Sequence, residues 1–196
     1  MRQTMRVDIP ESRPRVEVRL DDGSVAVLSP LSKEDRRYLV EGLEEMSMES
    51  RFSRFGQGRF RLTEGEWDYL TDVDQSRHVA WGAVVGGFGA GVGRYIMLDT
   101  GDCAEVAMTV LDEYQGRGVG TALFLALVAV ARSDGVPALC FDVVPSNSRV
   151  LEFLSMANAE VSESGGLVVG RISLDQEIPV PHEAEFVEAI RSFRAG

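Results

Sequence analysis

The stretch VLDEYQGRGVGTAL, residues 110–123, decides the fold of this chain. A strand-like apolar segment at 103–110 leads into it, and an apolar run follows at 119–131. A strand that breaks at glycines and turns into a helix leaves backbone N–H groups unpaired at the helix start, where the helix dipole favours an anion. Glycine lets a phosphate approach the backbone closely. The stretch predicts a cradle for a phosphorylated cofactor, with Arg117 as a cationic donor beside it.

The glycine spacing separates this cradle from two common alternatives. No lysine follows as in a Walker loop, and the third glycine of a dinucleotide fingerprint is missing. Gln115, Gly118 and Gly120 resemble the acetyl-CoA pyrophosphate loop of the GNAT superfamily of N-acetyltransferases, [Gln/Arg]-x-x-Gly-x-[Gly/Ala]. A tight strand-to-helix turn without a ligand is the alternative. The resemblance implies acetyl-CoA as co-substrate, bound by Gln115, Gly116, Arg117, Gly118, Val119, Gly120 and Thr121.

Periodicity and turn signals predict a single mixed α+β domain. A hairpin surrounds the turn at 21–24, and capping boxes at Ser32 and Thr63 open two helices. Strands follow at 78–85, 95–98, 103–110 and 138–144, with 86–93 as a flexible turn, and a strand pair at 161–164 and 167–174 closes the sheet. This order is that of the GNAT fold, a mostly antiparallel sheet with flanking helices. We expect a flexible arm at 1–15, the GNAT domain at 16–175 and an amphipathic helical extension at 176–196.

Two further segments narrow the resemblance. Residues 141–151, FDVVPSNSRVL, resemble the family's strand, loop and helix with an asparagine after a proline. Residues 31–35 and 51–55 are similar to the catalytic domain of bacterial Pat-type protein lysine acetyltransferases, which carries Leu-Ser-x-Glu-Ser-x-x-x-Arg-Phe. The resemblance implies a protein lysine as the acceptor. Arg51, Phe52, Arg54 and Phe55 either line the acceptor cleft or dock a helix onto the sheet.

Direct acetyl transfer to an amine needs a base, an oxyanion donor and a held cofactor. Glu105 is the one acid in an apolar strand, and a carboxylate beside the thioester suits the general base. We expect backbone groups of Met108, Thr109 and Val110 to bind the pantetheine amides, with an N–H near Met108 facing the oxyanion. By resemblance, Asn147 and Arg149 also bind the cofactor. Many relatives have a tyrosine as thiolate acid seven residues after this asparagine, where this chain has Leu154.

Composition excludes several other classes of protein. The net charge of −11 argues against nucleic acid as a partner. The sequence contains no run of about 18 apolar residues, so no membrane span is predicted. Cys103 and Cys140 lie in apolar segments and are expected to be reduced core residues of a cytoplasmic protein. His78 and His182 show no metal-ligand spacing, so no metal is expected, and His78 is more typical of a structural residue than of a second base.

Three functions remain open at this point. The first is acetyl transfer to a protein lysine, and the second is acetylation of a small amine. The third is a non-catalytic acyl-CoA-binding module, which a filled cleft would favour. The last helix carries an apolar stripe with Phe186, Ile190 and Phe193, which we expect to be buried against its own domain or in a homodimer.

Overall fold

The computed structural model describes residues 6–48, 50 and 62–196. The predicted segment at 51–55 therefore lies outside the described residues. The strands are β1 (Val16–Arg19), β2 (Val25–Pro30), β3 (His78–Val85), β4 (Phe88–Met97), β5 (Ala104–Val110), β6 (Ala138–Val143), β7 (Glu160–Ser164) and β8 (Leu167–Ser173). The helices of the described ranges are α1 (Arg36–Glu45), α2 (Glu64–Thr71), α3 (Val119–Ser133), α4 (Ser148–Met156) and α5 (Glu183–Ala195), with short 3-10 turns at Lys33–Asp35 and Asp112–Tyr114.

The strands form one sheet in the order β1-β2-β3-β4-β5-β6-β8-β7, which confirms the predicted α+β fold. Neighbouring strands are antiparallel except β5 and β6, which run parallel and are joined through α3. Those two strands pair at two positions, Ala104 with Leu139 and Glu105 with Cys140. Beyond these pairs the strands separate, so the sheet contains a cleft that opens toward their carboxyl ends.

Helix α3 supports the floor of this cleft. Ten of its residues are buried, as the nearly uniform apolar sequence predicts. Phe124 of α3 meets the ring of Phe153 edge-on at 4.8 Å and the ring of Phe141 at 6.2 Å. This aromatic cluster fills the space beneath the separating strands and holds α4 against the far wall.

Capping residues fix the helix starts on both sides of the sheet. Thr63 accepts a hydrogen bond from the Glu66 N–H, and the Glu66 side chain accepts from the Thr63 N–H, which confirms the predicted capping box. Asn147 caps α4, because its side chain accepts from the Val150 N–H. The first turn of α3 starts at Gly118, whose φ of 92° favours glycine.

The predicted flexible turn at 86–93 is wrong. The turn comprises only Gly86 and Gly87, and β4 begins at Phe88 and includes the remaining glycines. Gly91 is needed inside the strand, because a Cβ there would lie 2.7 Å from the carbonyl oxygen of Thr109. A glycine that allows a neighbouring strand to approach closely therefore looks, in the sequence, like a loop residue.

The first described residues are attached to the domain, where the sequence predicted a flexible arm. The Val7 N–H donates to the Gly87 carbonyl at 2.9 Å. Arg13 donates to the carboxylate of Asp35 at 2.6 Å, and both side chains are nearly buried. A buried pair of this kind fixes the chain before β1 to the start of α1.

Helix α5 buries its apolar stripe against its own domain. Phe186 and Ile190 are each 1% exposed, and the Phe186 ring meets Trp81 edge-on at 5.5 Å. Arg194 donates twice to the carboxylate of Asp134, at 2.9 and 2.6 Å. These two side chains of the stripe are buried within one chain, whereas Phe193 is only partly buried.

The expectation of two reduced cysteines is wrong. Cys103 and Cys140 form a disulfide, with their Cα atoms 6.1 Å apart. Their closeness depends on the parallel register of β5 and β6, which is not encoded in the spacing of the two residues along the chain. Within the described ranges, no helix combines the length and apolar character needed to cross a membrane.

Candidate functional site

The opening between β5 and β6 forms a cleft of about 640 Å³. It contains the glycine turn at one end and Glu105 at the other. Among the described residues that line it, Arg149 is the one cationic side chain. The acids that line it are Asp21, Glu105, Asp112 and Asp142. A second cavity of about 150 Å³ lies between α1, α2 and the sheet and shares Met46, Ala107 and Thr109 with the cleft.

The glycine turn has the geometry of an anion cradle. The first intrahelical hydrogen bond of α3 runs from the Ala122 N–H to the Gly118 carbonyl, at 2.9 Å. The N–H groups of Val119, Gly120 and Thr121 precede that bond, and helix geometry leaves them without intrahelical acceptors. They lie at the positive end of a 15-residue helix, which is the arrangement that binds a pyrophosphate.

Gln115 holds the cradle in place with its side chain. Its Nε2 atom donates to the Val110 carbonyl at 3.1 Å and to the Ser50 hydroxyl at 3.2 Å, while Arg149 donates to its Oε1 atom. Ser50 also donates to Asp112 at 2.5 Å, so the segment after α1 is attached to the same group. The motif glutamine therefore positions the loop, and the neighbouring arginine from α4 is the cation available to a phosphate.

Arg117 does not point into the cradle as the sequence analysis expected. Its Nε atom donates to Asp22 at 2.6 Å, and its Nη2 atom donates to Ser24 at 3.2 Å. Hydrogen bonds from Ser24 and, after them, the Arg117 guanidinium lower the pKa of Asp22 to about 2. The turn between β1 and β2 is thereby fixed to the cofactor loop. It also brings in Asp21, since a Cβ on Gly118 would lie 2.9 Å from the carboxylate of Asp21.

The backbone of β5 offers hydrogen-bonding groups to the cleft. The Val110 carbonyl accepts from Gln115, so it points away from β4. Backbone groups of an antiparallel strand alternate between its two neighbours, which directs the N–H and C=O of Met108 into the cleft as well. Thr109, paired with Val92 of β4, has its backbone directed to β4 and contributes its side chain to the cleft. The Met108 N–H thus faces the cleft as a hydrogen-bond donor.

Glu105 lies where β5 and β6 still pair. Its side chain is exposed and lines the cleft, so the burial that would suit a general base is not found. The sheet register continues the line of Glu105 across five further strands. We call this line the closed-end row; its members, on one face of the sheet, are His78, Ile96, Glu105, Cys140, Arg171 and Glu160.

Asp142 is a site residue that the sequence analysis missed. It is exposed, lines the cleft and lies two residues beyond Cys140 on β6. Because alternate residues share a face, its carboxylate projects on the same side of the sheet as that of Glu105. Only the parallel register reveals this, since the two acids are far apart in sequence.

The position expected to hold a thiolate acid is occupied by a core residue. Leu154 is fully buried and packs on β8, where a Cβ on Gly170 would lie 2.7 Å from it. Phe153 lines the cleft instead. Tyr114 also lines the cleft, and its burial raises the pKa of the phenol. Its ring lies 5.1 Å from the Arg117 guanidinium carbon, which places it beside the cradle.

His78 is a structural residue in this arrangement. It is 8% exposed, and its Nε2 atom lies 3.3 Å from the Arg94 guanidinium. Burial and then the charge of Arg94 lower the pKa of His78 to about 4, so its ring is neutral at physiological pH. A neutral ring that accepts from arginine is not free to serve as a base. In the described part of the chain, no group of three His, Cys, Asp or Glu residues is placed to hold a metal ion.

The described geometry agrees with the family pattern that the chain matches. The acetyltransferase (GNAT) family matches residues 40–157, more than half of the sequence. The chain belongs to this family. The matched region includes the cradle, β5, β6 and α4, which together form the walls of the cleft.

The relatives include Pat-type enzymes. The chain is 30% identical over 180 residues to "Acetyltransferase Pat" of Mycolicibacterium smegmatis, covering 90% of this chain and 54% of that protein. It is 33% identical over 121 residues to "Acetyltransferase PA5475" of Pseudomonas aeruginosa, covering 59% of this chain and 64% of that protein. The chain therefore spans less than two thirds of the length of either relative. These matches confirm the resemblance to Pat-type enzymes.

Solved structures share the fold. The GNAT domain of S. lividans PAT has a TM-score of 0.77 and 30% identity, covering 85% of this chain and 99% of that one. PaiA N-acetyltransferase of Thermoplasma acidophilum, in complex with coenzyme A, has a TM-score of 0.59 at 17% identity, covering 76% and 98%. The yncA protein of Salmonella typhimurium, with acetyl-CoA, has a TM-score of 0.64 at 14% identity, covering 80% and 98%.

Proposed function

We propose that this protein is an acetyl-CoA-dependent N-acetyltransferase that acts on a primary amine, a protein lysine in particular. The observation that carries the proposal is one continuous cleft with an anion cradle at one end and the Glu105 carboxylate at the other. The relatives named Pat and the acetyl-CoA bound to yncA support the cofactor and the reaction type. The open cleft argues against a non-catalytic module.

The arrangement suits direct attack of the amine on the thioester. The α3 amino terminus and Arg149 would hold the pyrophosphate, and the Met108 N–H would stabilise the tetrahedral oxyanion. Glu105 would take the amine proton, directly or through a water, because an alkyl ammonium with a pKa near ~10.4 is protonated at neutral pH. In the oxidised protein both cysteines are in the disulfide, so neither offers a thiol for an acyl-enzyme. A thiolate with pKa near ~8.5 leaves without a strong acid.

Asp142 supports a cationic acceptor. Two carboxylates on one face of the cleft attract the ammonium form of a lysine before it loses its proton. Glu105 would act on the proton, and Asp142 would position the charge. The resemblance to Pat-type protein lysine acetyltransferases supports a protein lysine as the acceptor, and we propose the cytoplasm as the place where the protein acts. Small amines are the alternative acceptors.

The test is a survey of acceptors with purified protein and acetyl-CoA. We expect acetylated lysine in peptides from a proteome extract, detected by mass spectrometry, with CoA release in equal amount. Parallel reactions contain polyamines and aminoglycosides. Product from small amines alone would assign the protein to the alternative class. CoA binding without any acetylated product across all acceptors would contradict the enzymatic proposal.

A further inference from the structure

The disulfide closes the cleft at one particular place. Cys103 immediately precedes β5, and Cys140 is the partner of Glu105 in the last paired position of β5 and β6. Two residue pairs are all that otherwise join these strands. The covalent bond is thus a large part of what holds the closed end together, and Glu105 lies directly beside it.

The two sulfur atoms differ in their surroundings. Cys103 is 3% exposed, whereas Cys140 is only partly buried and belongs to the closed-end row, on the same face of the sheet as Glu105. The Arg171 Nη1 atom lies 3.7 Å from the Cys140 sulfur. A guanidinium beside a sulfur stabilises the thiolate form. A reductant can therefore approach Cys140 from the face of the sheet that carries Glu105. The thiolate formed there has Arg171 as a cationic partner.

We propose that Cys103 and Cys140 form a reversible thiol–disulfide site that controls acetyl transfer through the position of Glu105. The proposal rests on the function proposed above. In the oxidised protein the bond holds Glu105 against the reacting amine, and in the reduced protein the two strands separate more freely at that point. The reductant is a dithiol. In the cytoplasm, where we propose that the protein acts, a persistent disulfide is unusual and a redox-sensing one is the common kind.

The exchange is balanced as two successive displacements. A thiolate of the dithiol attacks the Cys140 sulfur, the bond to Cys103 breaks, and Cys103 leaves as a thiolate and is protonated. The second thiol of the reductant then attacks the mixed disulfide, so that Cys140 leaves as a thiolate beside Arg171. The protein gains two electrons and, while Cys140 stays a thiolate, one proton; the dithiol becomes a disulfide and releases its other proton to solvent.

Reduction should affect turnover more than cofactor binding. The cradle lies at the opposite end of the cleft and is held by Gln115 and the turn between β1 and β2. A base that loses its fixed position accelerates the reaction less, because a small misplacement of a catalytic group lowers the rate strongly. We expect kcat to fall roughly tenfold on reduction, with the Kd for CoA changed less than about twofold.

The experiment compares the full chain across graded ratios of reduced and oxidised dithiothreitol. Thiols are counted by alkylation and intact mass; the two cysteines of the sequence give zero in the oxidised form and two in the reduced form. Acetylated peptide is quantified by mass spectrometry. The expected result is that kcat and thiol count change with one midpoint. The Cys103→Ala/Cys140→Ala variant should have the lower rate at every ratio.

Arg171→Gln supplies a readout that a purely structural role would not move. Loss of the guanidinium should shift the midpoint toward more reducing ratios and leave the rate of the oxidised form within about twofold. Amide hydrogen exchange at 104–106 and 139–141 should accelerate on reduction, and this is independent of any acceptor. If the oxidised protein acetylates no acceptor, the proposed function is wrong. Amide hydrogen exchange and the midpoint of the thiol count would still test the redox site.

Two results would overturn the proposal. One is complete reduction to two thiols with unchanged kcat and unchanged amide exchange. The other is a disulfide that resists dithiothreitol in the folded protein, because it would then be a permanent crosslink. If the double alanine variant does not fold, the oxidised and reduced wild-type protein carry the comparison alone.

Discussion

The two ends of the β5 and β6 pair differ in how they are held. At the closed end, a disulfide and two ladder pairs join the strands, and strand pairing continues the closed-end row across the sheet. At the open end, strand pairing has stopped, and the parts are connected by hydrogen bonds among Gln115, Arg149 and Ser50. One end is fixed by covalent and backbone bonds, and the other by polar side chains.

This difference separates the requirements of chemistry from those of binding. A base must be held to a fraction of an ångström, which suits the closed end. A cofactor must enter and leave, and it needs backbone groups that no strand has already paired, which the open end provides. The following predictions test the division of roles, beginning with the largest expected effect.

Glu105→Gln removes the base at the closed end and keeps its shape. Turnover should fall by roughly 10²–10⁴-fold, the usual contribution of a positioned general base. CoA affinity by calorimetry should stay within about twofold, and the loss should shrink as pH rises toward the amine pKa of ~10.4. Glu163→Gln, an equal charge change on the opposite face of β7, is the control. Full turnover of Glu105→Gln at neutral pH would refute the assignment.

Gly120→Val tests the open end. Gly120 is the second residue of α3, where a Cβ would meet only the Val110 methyl at 3.6 Å, so the fold has room for it. A side chain there would occupy the place of the phosphate, and the Kd for CoA should rise at least about tenfold. Gly65→Val is the matched control, because Gly65 is the second residue of α2 with nothing within 4 Å. Equal CoA affinity in both variants would show that the cradle is elsewhere.

Asp142→Asn tests whether the second carboxylate positions the acceptor charge. The KM for a lysine peptide should rise roughly two- to fivefold with kcat nearly unchanged, as expected for an exposed charge pair. The effect should disappear at high salt. A fall in kcat as large as that of Glu105→Gln would instead make Asp142 the base.

The pH dependence of the free energy of unfolding tests whether His78, in the closed-end row, is neutral in the folded protein. Its pKa of about 4 in the folded protein is below the ordinary 6.5, so the unfolded chain binds more protons between these values. Its contribution is therefore complete above pH 6.5 and is lost as pH falls toward 4, by at most about 1.4 kcal/mol per pH unit. The free energy of unfolding, measured with urea at several pH values, should fall less steeply with decreasing pH in His78→Gln than in the wild type. Parallel slopes would mean that His78 is not neutral in the fold.

Local patterns in the sequence predicted local features well. The glycine turn and the Thr63 capping box each depend on neighbours within a few residues, so the chain alone identifies them. The order of strands and helices along the chain followed from periodicity and turn signals, and the mostly antiparallel sheet followed from the family resemblance.

Features that depend on register between distant strands were not accessible from the sequence. The disulfide and the shared face of Glu105 and Asp142 appear only when the parallel pairing is known. The target of Arg117 depends on where the turn between β1 and β2 folds back. The glycines of β4 look like turn residues in the sequence, because the group that requires one of them, the Thr109 carbonyl beside Gly91, lies on another strand.

Trp81 gives the carboxyl-terminal helix an optical signature. Its indole is completely buried against Phe186, and within the described residues its N–H has no hydrogen-bond partner. An indole in such apolar surroundings emits at short wavelength, and water reaching it moves the emission to the red. Of the two tryptophans in the sequence, Trp67 lines the separate cavity beside α2. With Trp67→Phe in place, the colour of the remaining emission would report whether α5 is docked.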